Sequence, residues 1–365
     1  MKKCFLTFLL IYSFQAFALI GFEDAIFPEL ASSSRAEAMG NAFMCKVDDA
    51  SAAFYNPAGL GTVRYPHLHL SNFLLETNKD LLNAATGGTL TNAFSNVTKG
   101  FTLDGMRQLL KNSPGEIAHS KLQALPNFTM RYFSLGFLIA KRTRATVTNT
   151  LSTTGFEVAD RLDLGPYAAF NFSLFGGVFK MGVSGVILTR KELNTAVDPN
   201  ATLSVGSNSY NKGTAAIVTT GARLTLPVEF LPTLSVKMHN TLKKSFSAGG
   251  AGAPTTIPSS IDVGASITPQ IGTSTRIHLE ANYKDLGGEY SGISMTRRLL
   301  IGLEVDFART FFFRLGYGDG FGSGGIGIRT PKVEFDLTTY AVDTTTSAFR
   351  GKEDRRFSVG ISTGF

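Results

Sequence analysis

The feature that most constrains the fold is the end of the chain, where large apolar residues alternate with small or polar ones. One face carries Phe357, Val359, Ile361 and Phe365, and the other carries Ser358, Gly360, Ser362 and Gly364. A period of two over this length is typical of a β-strand with one apolar face. The sequence therefore predicts a C-terminal strand whose aromatic face packs against something apolar.

The same alternation recurs upstream and predicts about fourteen strands, an even number as bacterial outer-membrane barrels require. The predicted segments are 66–75, 128–140, 143–163, 166–175, 178–190, 214–226, 233–241, 260–268, 274–284, 298–308, 310–318, 324–330, 332–341 and 356–365. A soluble β-sandwich also alternates, with its polar face outside, so periodicity alone does not separate the two folds.

An export signal favours the barrel over the sandwich. Lys2 and Lys3 precede an apolar run, and Ala16-Phe17-Ala18 forms a small-x-small cleavage site. This pattern predicts a signal peptide over residues 1–18 and a mature chain that starts at Leu19. With 30 phenylalanines and a terminal aromatic strand, the sequence predicts an all-β, transmembrane antiparallel β-barrel in the outer membrane of a Gram-negative type of cell.

Charge and cysteine content exclude two classes of protein. The chain has 35 basic and 28 acidic residues; without Lys2 and Lys3 the 33 basic residues leave a net charge of +5. These basic residues are scattered, which argues against a nucleic-acid partner. They fit contact with outer-membrane lipids and anionic lipopolysaccharide. Cleavage leaves Cys45 as the one cysteine, so no internal disulfide is expected.

Two regions depart from the strand pattern. Residues 31–64, within an N-terminal segment 19–64, are rich in small residues, and residues 65–365 carry the predicted barrel with an insert at about 76–126. Within the insert, Thr102 is a candidate cap for a short helix that ends near Lys111. The insert either covers one mouth of the barrel or is an ordinary long loop with a passenger helix.

The most specific local sequence lies in the first of these regions. It consists of Ala36-Glu37-Ala38-Met39-Gly40-Asn41-Ala42-Phe43 and Val47-Asp48-Asp49-Ala50-Ser51-Ala52-Ala53-Phe54-Tyr55-Asn56-Pro57-Ala58-Gly59-Leu60. This sequence resembles the N-terminal plug of the FadL-type family of outer-membrane transporters of hydrophobic compounds. By pattern it is most similar to the PorV-like branch, which includes a shuttle protein of a secretion system.

The resemblance implies a plug inside the barrel. Its motif residues are Asp48, Asp49, Asn56 and Pro57. Asp48 is a candidate cap for the turn that follows it, and Asn56-Pro57 favours an extended residue followed by a turn. The candidate ligand or plug-wall contacts are Phe43, Phe54 and Tyr55.

The residues do not point to catalysis. No Gly-x-Ser-x-Gly sequence stands at a predicted strand-to-helix turn, where a nucleophile elbow would lie, and His67 and His69 have no cysteine or acidic neighbour at ligand spacing. Gly320–Gly325 matches a dinucleotide fingerprint, but a strand follows it where that mechanism needs a helix. We therefore expect no enzyme activity, metal or cofactor.

Two functions remain open from the sequence. The first is the binding or passage of hydrophobic small molecules, of the long-chain fatty-acid type, across the outer membrane. The second is a PorV-like barrel that does not transport and binds secreted proteins or secretion machinery through long loops at 191–213 and 243–259. An apolar lumen cavity would favour the first, and a lumen packed with paired charges would favour the second.

The C-terminal strand yields the first prediction. Phe357, Val359, Ile361 and Phe365 form an expected assembly signal for the barrel assembly machinery, which is known to read such a strand. Deleting Phe365 should lower the amount of heat-modifiable barrel at the cell surface, without lowering the stability of barrel that has already folded. Normal surface levels of the truncated chain would count against an assembly role.

Overall fold

Fourteen strands form one antiparallel sheet, if the short interruptions in β2 and β8 are counted within those strands and the two-residue strand Gly249–Gly250, which pairs with Asn211 and Lys212, is left out. The computed structural model describes residues 19–21, 29–86, 96, 98–203, 205–290, 293–330, 332–344 and 352–364. The strands are β1 (His67–Asn78), β2 (Ile117–Ala124 and Asn127–Met130), β3 (Phe133–Val147), β4 (Phe156–Leu174), β5 (Phe179–Val197), β6 (Asn211–Thr225), β7 (Thr233–His239), β8 (Ser260–Ile267 and Gln270–Ile271), β9 (Thr275–Tyr283), β10 (Leu299–Phe307), β11 (Phe311–Gly318), β12 (Phe321–Arg329), β13 (Val333–Asp343) and β14 (Glu353–Gly364). The predicted signal peptide and Phe365 lie outside the described residues.

The sheet closes because its first and last strands pair with each other. β1 runs antiparallel to β14 from His69 opposite Gly364 to Asn78 opposite Arg356. Every other strand pairs with its neighbours in chain order. Closure gives the backbone groups of both terminal strands a partner. The predicted antiparallel barrel of fourteen strands is therefore confirmed.

The polar faces of the strands point inward. On β11, Phe313 and Leu315 are 44% and 45% exposed, whereas Arg314 between them is 1% exposed. On β14, Ile361 is 41% exposed and Ser358 is fully buried. A soluble sandwich would bury the opposite face, so this exterior is that of a transmembrane barrel. None of the helices in the described part of the chain has the length and apolarity needed to cross a membrane.

Strand boundaries in the first half of the barrel differ from the prediction. The predicted segment 143–163 includes the connection 148–155 between β3 and β4. The segment predicted at 128–140 contains a turn at Arg131-Tyr132, with Tyr132 at a φ of 79°. β2 begins at Ile117, which the sequence assigned to the insert. Its inward residues include His119, Lys121 and Gln123, and the helices cover part of its outer face, so the apolar alternation is weak.

The two ends of the barrel differ. Short turns join β2 to β3, β4 to β5, β6 to β7, β8 to β9, β10 to β11 and β12 to β13, and we call this the short-turn end. β14 finishes at this end, because Gly364 pairs near the start of β1. The opposite, long-loop end carries most of the longer connections. This alternation of loop lengths is the usual pattern of bacterial barrels.

The insert contains helices α3 (Lys79–Thr86) and α4 (Leu103–Leu110), and Thr102 caps α4 by accepting a hydrogen bond from the Gly105 amide. Both helices pack on the outer faces of strands at the long-loop end. The shared apolar cluster contains Leu81, Met106, Leu110, Ala118, Ala145, Val147, Phe156 and Val158. These wall residues alternate with inward residues such as His119 and Arg144. The two helices therefore pack against the outside of the barrel wall and do not lie across its mouth.

Residues 29–64 lie inside the barrel, and we call them the inner segment. They form α1 (Ser34–Ala38), α2 (Ala52–Tyr55) and a 3-10 helix (Pro57–Thr62). The strand pairings of the described residues do not include this segment. Its contacts with the wall are made by side chains and by isolated backbone groups.

The outer face yields the second prediction. Leu315→Arg, near the middle of β11, should lower the free energy of unfolding by about 2–4 kcal/mol, because a charge would face hydrocarbon. Phe311→Arg, beside the short turn, should cost less, about 0–1 kcal/mol. Reversible denaturation in lipid vesicles measures both. Equal costs would place Leu315 away from the membrane centre.

Candidate functional site in the barrel lumen

The aromatic residues predicted as ligand contacts lie together inside the barrel. Phe43, Phe54 and Tyr55 are 0%, 3% and 1% exposed. The rings of Phe43 and Tyr55 meet edge to face, with centroids 5.5 Å apart. Phe54 meets Tyr167 of β4 at 5.0 Å. All four rings are packed against protein, so the structure brings the predicted aromatics together in a closed arrangement.

The two aspartates of the motif have different partners. Asp48 Oδ1 accepts a hydrogen bond from Arg35 Nη1 at 2.7 Å. Burial alone would raise the pKa of Asp48, but the cations Arg35, Arg329 and Lys46 together outweigh burial and hold that pKa below its usual value. Asp49 accepts from the backbone N–H and the hydroxyl of Ser51. The turn is thus capped by Asp49, and the expected cap, Asp48, is drawn away by Arg35.

Asn56 and Pro57 form a tight turn against the wall. Asn56 is fully buried and extended, with φ −166° and ψ 108°, and its Oδ1 accepts from the Ala58 amide at 3.1 Å. Pro57 starts the 3-10 helix. The Ala58 carbonyl accepts from Asn171 Nδ2 of β4 at 2.9 Å.

Two wall glycines make room for this turn. A Cβ atom on Gly182 of β5 would lie 2.3 Å from the Pro57 carbonyl carbon. A Cβ atom on Gly221 of β6 would lie 2.1 Å from Asn56 Oδ1. Any larger residue at either position would displace the turn, so both glycines are needed where Asn56-Pro57 touches the wall. Sequence reasoning missed both glycines, which carry no local signal of the contact.

Arg35 is the main electrostatic link between the inner segment and the wall. Its Nε and Nη2 donate to the two carboxylate oxygens of Glu304 on β10 at 2.7 and 2.9 Å. Its guanidinium also lies 4.9 Å from the centre of the Phe43 ring. Glu304 is fully buried and pairs in addition with Arg314 at 2.8 Å and Lys46 at 3.6 Å.

A second set of links lies at the start of the inner segment. Glu29 Oε1 accepts from Lys237 at 2.7 Å and from Lys284 at 3.0 Å. Burial would raise the pKa of Glu29, but the two ammonium groups outweigh it and lower the pKa to about 2. Glu37 accepts from the Ser358 hydroxyl of β14 at 2.9 Å.

These charged anchors are residues that sequence reasoning missed. Glu29, Arg35, Glu37 and Lys46 stand in a segment that is otherwise dominated by small and apolar residues. A charge placed inside a barrel requires an opposite charge on an inward position of the wall. That requirement is the signal that would have marked them.

Contacts with β4 and β5 are of a different kind. There, Ser184 Oγ donates to the Ala53 carbonyl, and Asn171 donates to Ala58. The ion pairs found between the inner segment and the wall in the described chain run to Lys121 of β2, Lys237 of β7, Lys284 after β9 and Glu304 of β10. The inner segment is therefore held by charges on one side and by neutral contacts on the other.

The neutral side coincides with an apolar sector of the lumen. We define this sector by the inward residues Leu138, Tyr167, Ala169, Val186, Leu188, Ala215 and Ile217 of β3–β6. It packs against Phe54 and Tyr55 and continues to Phe246 in the loop after β7. Nearer the long-loop ends of β4 and β5, the inward residues form the ion pairs Arg190–Asp163 and Arg161–Glu192, and the Arg190 guanidinium lies 5.0 Å from the centre of the Phe246 ring.

The cavities described within the lumen are small. One of about 70 Å³ lies between the inner segment and β1, β13 and β14, and its lining includes Arg35, Asp49 and Glu334. Two others measure about 30 Å³ each. Larger apolar grooves, of about 430 and 480 Å³, open on the outer face on either side of β7. Among the described residues, no group of three or more His, Cys, Asp and Glu side chains is placed to hold a metal ion.

Comparison with known proteins identifies the fold. No protein-family model matches the chain, and no curated protein matches its sequence. The TodX deltaS2S3 mutant, a monoaromatic hydrocarbon channel, is similar with a TM-score of 0.56 and 11% identity, over 92% of this chain and 99% of that one. CymD, also a monoaromatic hydrocarbon channel, has a TM-score of 0.52 and 10% identity, over 93% and 98%.

A third structure extends the same comparison. The Ralstonia pickettii toluene transporter TbuX has a TM-score of 0.50 and 11% identity, over 93% of this chain and all of that one. A looser similarity, at a TM-score of 0.37, is to CdiB from Acinetobacter baumannii, of which the chain spans about 60%. At such low identities the similarity shows a shared fold, which is that of the hydrocarbon-channel barrels.

The Arg35 link yields the third prediction. Arg35→Met removes the guanidinium that Glu304 and Asp48 share and leaves Glu304 only Arg314 and Lys46. The loss of this buried pairing should lower the free energy of unfolding by about 3–5 kcal/mol. It should also loosen the inner segment and make Cys45 accessible to a maleimide. In the intact protein Cys45 is fully buried, and burial raises the pKa of its thiol to about 12, so labelling should be slow.

Arg297→Met is the matched control, because Arg297 pairs with Asp319 and Asp343 and not with the inner segment. It should leave the labelling rate of Cys45 unchanged. Equal labelling in both variants would show that Arg35 does not hold the segment.

Proposed function

We propose that this chain is an outer-membrane β-barrel that binds hydrophobic small molecules and passes them across the membrane. The observation that carries the proposal is the apolar sector, which joins Phe246 in the loop after β7 to the aromatic cluster of Phe43, Phe54 and Tyr55. In a barrel whose other inward residues are largely charged, such a sector offers a route for an apolar solute. The fold is shared with proteins named as hydrocarbon channels and a toluene transporter, and this similarity supports the proposed passage of hydrophobic molecules.

The inner segment acts as a plug in this proposal. A solute enters from the long-loop end beside Phe246 and gains affinity from burial of its apolar surface, at about 25 cal/mol per Å². Because the described lumen cavities are too small for such a solute, the plug must move. The side facing β4–β6 moves, since its contacts there are neutral.

The proposal extends to the class of solute and to assembly. A long-chain fatty acid or an aromatic hydrocarbon matches the apolar sector equally well. The outward residues Phe357, Val359 and Ile361 of β14 line the seam with β1 and support its role as the signal for the barrel assembly machinery. Outer-membrane lipids and lipopolysaccharide then surround the apolar exterior.

A pair of engineered disulfides gives the fourth prediction. A Cβ atom on Gly61 of the 3-10 helix would lie 2.8 Å from Ser173 Oγ of β4. Gly61→Cys with Ser173→Cys, in a Cys45→Ser background, should therefore pin the plug to the apolar sector's wall. Oxidation should reduce uptake of toluene or of a hydrophobic dye into vesicles to the background rate, and a reductant should restore it.

A cross-link on the charged side is the control. A Cβ atom on Gly360 of β14 would lie 3.3 Å from Ser34 Cβ, close to the usual disulfide separation of about 3.5–4.5 Å. Ser34→Cys with Gly360→Cys should leave uptake intact, because that side stays in place. Uptake that survives the Gly61–Ser173 cross-link would refute the proposed route.

A second function is favoured by a different observation, the dense ion pairing of the lumen around Glu304 and Glu29. A permanently filled barrel of this kind suits the PorV-like alternative, in which the loops at 191–213 and 243–259 bind a secreted protein. Absence of specific uptake in every variant, including the reduced cross-link pair, would favour this alternative. Loop replacements should then abolish binding of the partner and leave the barrel folded.

A further inference from the structure

Three neighbouring turns at the short-turn end expose apolar side chains. They are the turns after β4, β6 and β8. Their exposed apolar residues, with fractional exposures, are Phe175 (80%), Leu226 (44%), Val228 (57%), Phe230 (51%), Leu231 (47%) and Ile271 (58%). We call this set the apolar rim. Turns that project into water normally carry Gly, Asn, Asp, Ser or Pro, so this composition requires an explanation.

The apolar rim is one continuous surface. The Thr225 amide donates to the Val178 carbonyl at 2.8 Å, which joins the first turn to the second. The Thr268 amide donates to the Phe230 carbonyl at 2.6 Å, which joins the second turn to the third. The exposed side chains therefore follow one arc of the barrel end.

The rest of the same end is basic. The exposed residues around it are Arg64, Arg131, Arg309 and Lys332. The β6–β7 turn lies across the barrel from the β1–β14 seam, so the apolar and basic arcs face opposite sides. The short-turn end thus has one arc suited to water and phosphate groups and one arc suited to hydrocarbon.

The backbone gives a second indication that these side chains are required. Phe175, Phe230 and Leu231 have φ values of 52°, 64° and 47°. This left-handed region favours glycine and asparagine and is unfavourable for large residues. Bulky apolar residues at three such positions imply a benefit that offsets the backbone cost.

We infer that the apolar rim is immersed in the lipid leaflet at the short-turn end, so that the barrel sits asymmetrically in the membrane. The rim is continuous with the lipid-facing wall. Leu226 also lines the 480 Å³ outer groove, and Phe172, two residues before the end of β4, lines the 430 Å³ groove. Both grooves open toward lipid and lead to the rim. Acyl chains therefore cover the rim without any other partner.

The chain contains no tryptophan, so single tryptophans report their own surroundings. We would compare Phe175→Trp and Phe230→Trp with Tyr65→Trp, which lies 68% exposed before β1 on the opposite arc. Phe313→Trp on the mid-wall of β11 is the membrane control. Each purified full-length variant is placed in phosphatidylcholine–phosphatidylglycerol vesicles with brominated acyl chains, and iodide is added outside or trapped inside.

Tryptophans at 175 and 230 should be quenched by brominated lipid at least half as strongly as that at 313, and iodide should quench them several-fold less than that at 65. Strong iodide quenching at 175 and 230 would overturn the inference and point to a soluble partner for the rim. Loss of lipid quenching at 313 would instead refute the membrane location itself. If either rim variant fails to fold, Val228→Trp and Ile271→Trp provide the same test.

Discussion

The structure depends on the pairing of β1 with β14. Backbone N–H and C=O groups have no water to bind in hydrocarbon, so a sheet that spans a membrane must close on itself. Closure fixes which residues face out, because side chains alternate along every strand. Apolar residues such as Leu315 then meet lipid, and their neighbours, such as Arg314, are forced into the lumen. The charged interior is thus a consequence of closing the wall with alternating residues.

A charged interior must be neutralised, and the inner segment does part of this work. Without the segment, buried Glu304 on β10 would lose Arg35 and Lys46 and would keep Arg314 of β11 as its partner. Removing one partner of a buried ion pair destabilises a protein strongly, because it leaves the other charge buried without compensation. Replacing both partners by apolar residues of similar size often costs little. The segment and the wall therefore depend on each other electrostatically, even though the segment makes no strand pairing with the wall.

The sequence predicted the wall better than the interior. Alternation located β6–β14 within a few residues, because each carries an apolar lipid-facing row. It failed for Ile117–Ala124, where His119 and Lys121 face inward and helices cover part of the outside. Pairing of Arg35 with Glu304, which are 269 residues apart, is set by barrel geometry and leaves no local pattern. Gly182 and Gly221 also leave no local pattern. A side chain at either position is excluded only because the Asn56-Pro57 turn lies against it in the folded protein.

The division of the lumen determines how it can open. Moving the inner segment away from Glu304 or Lys237 breaks buried ion pairs, at about 3–5 kcal/mol each. Moving it away from β4 and β5 breaks neutral hydrogen bonds from Asn171 and Ser184, which contribute about 0.5–1.5 kcal/mol each. The cheaper motion therefore pivots the segment on its charged side and separates it from the apolar sector. A hydrophobic solute that binds in the gap offsets that smaller cost by burying its own surface, whereas an ion or a polar solute gains nothing there. In the proposed function, selectivity for apolar molecules follows from where the charges are placed.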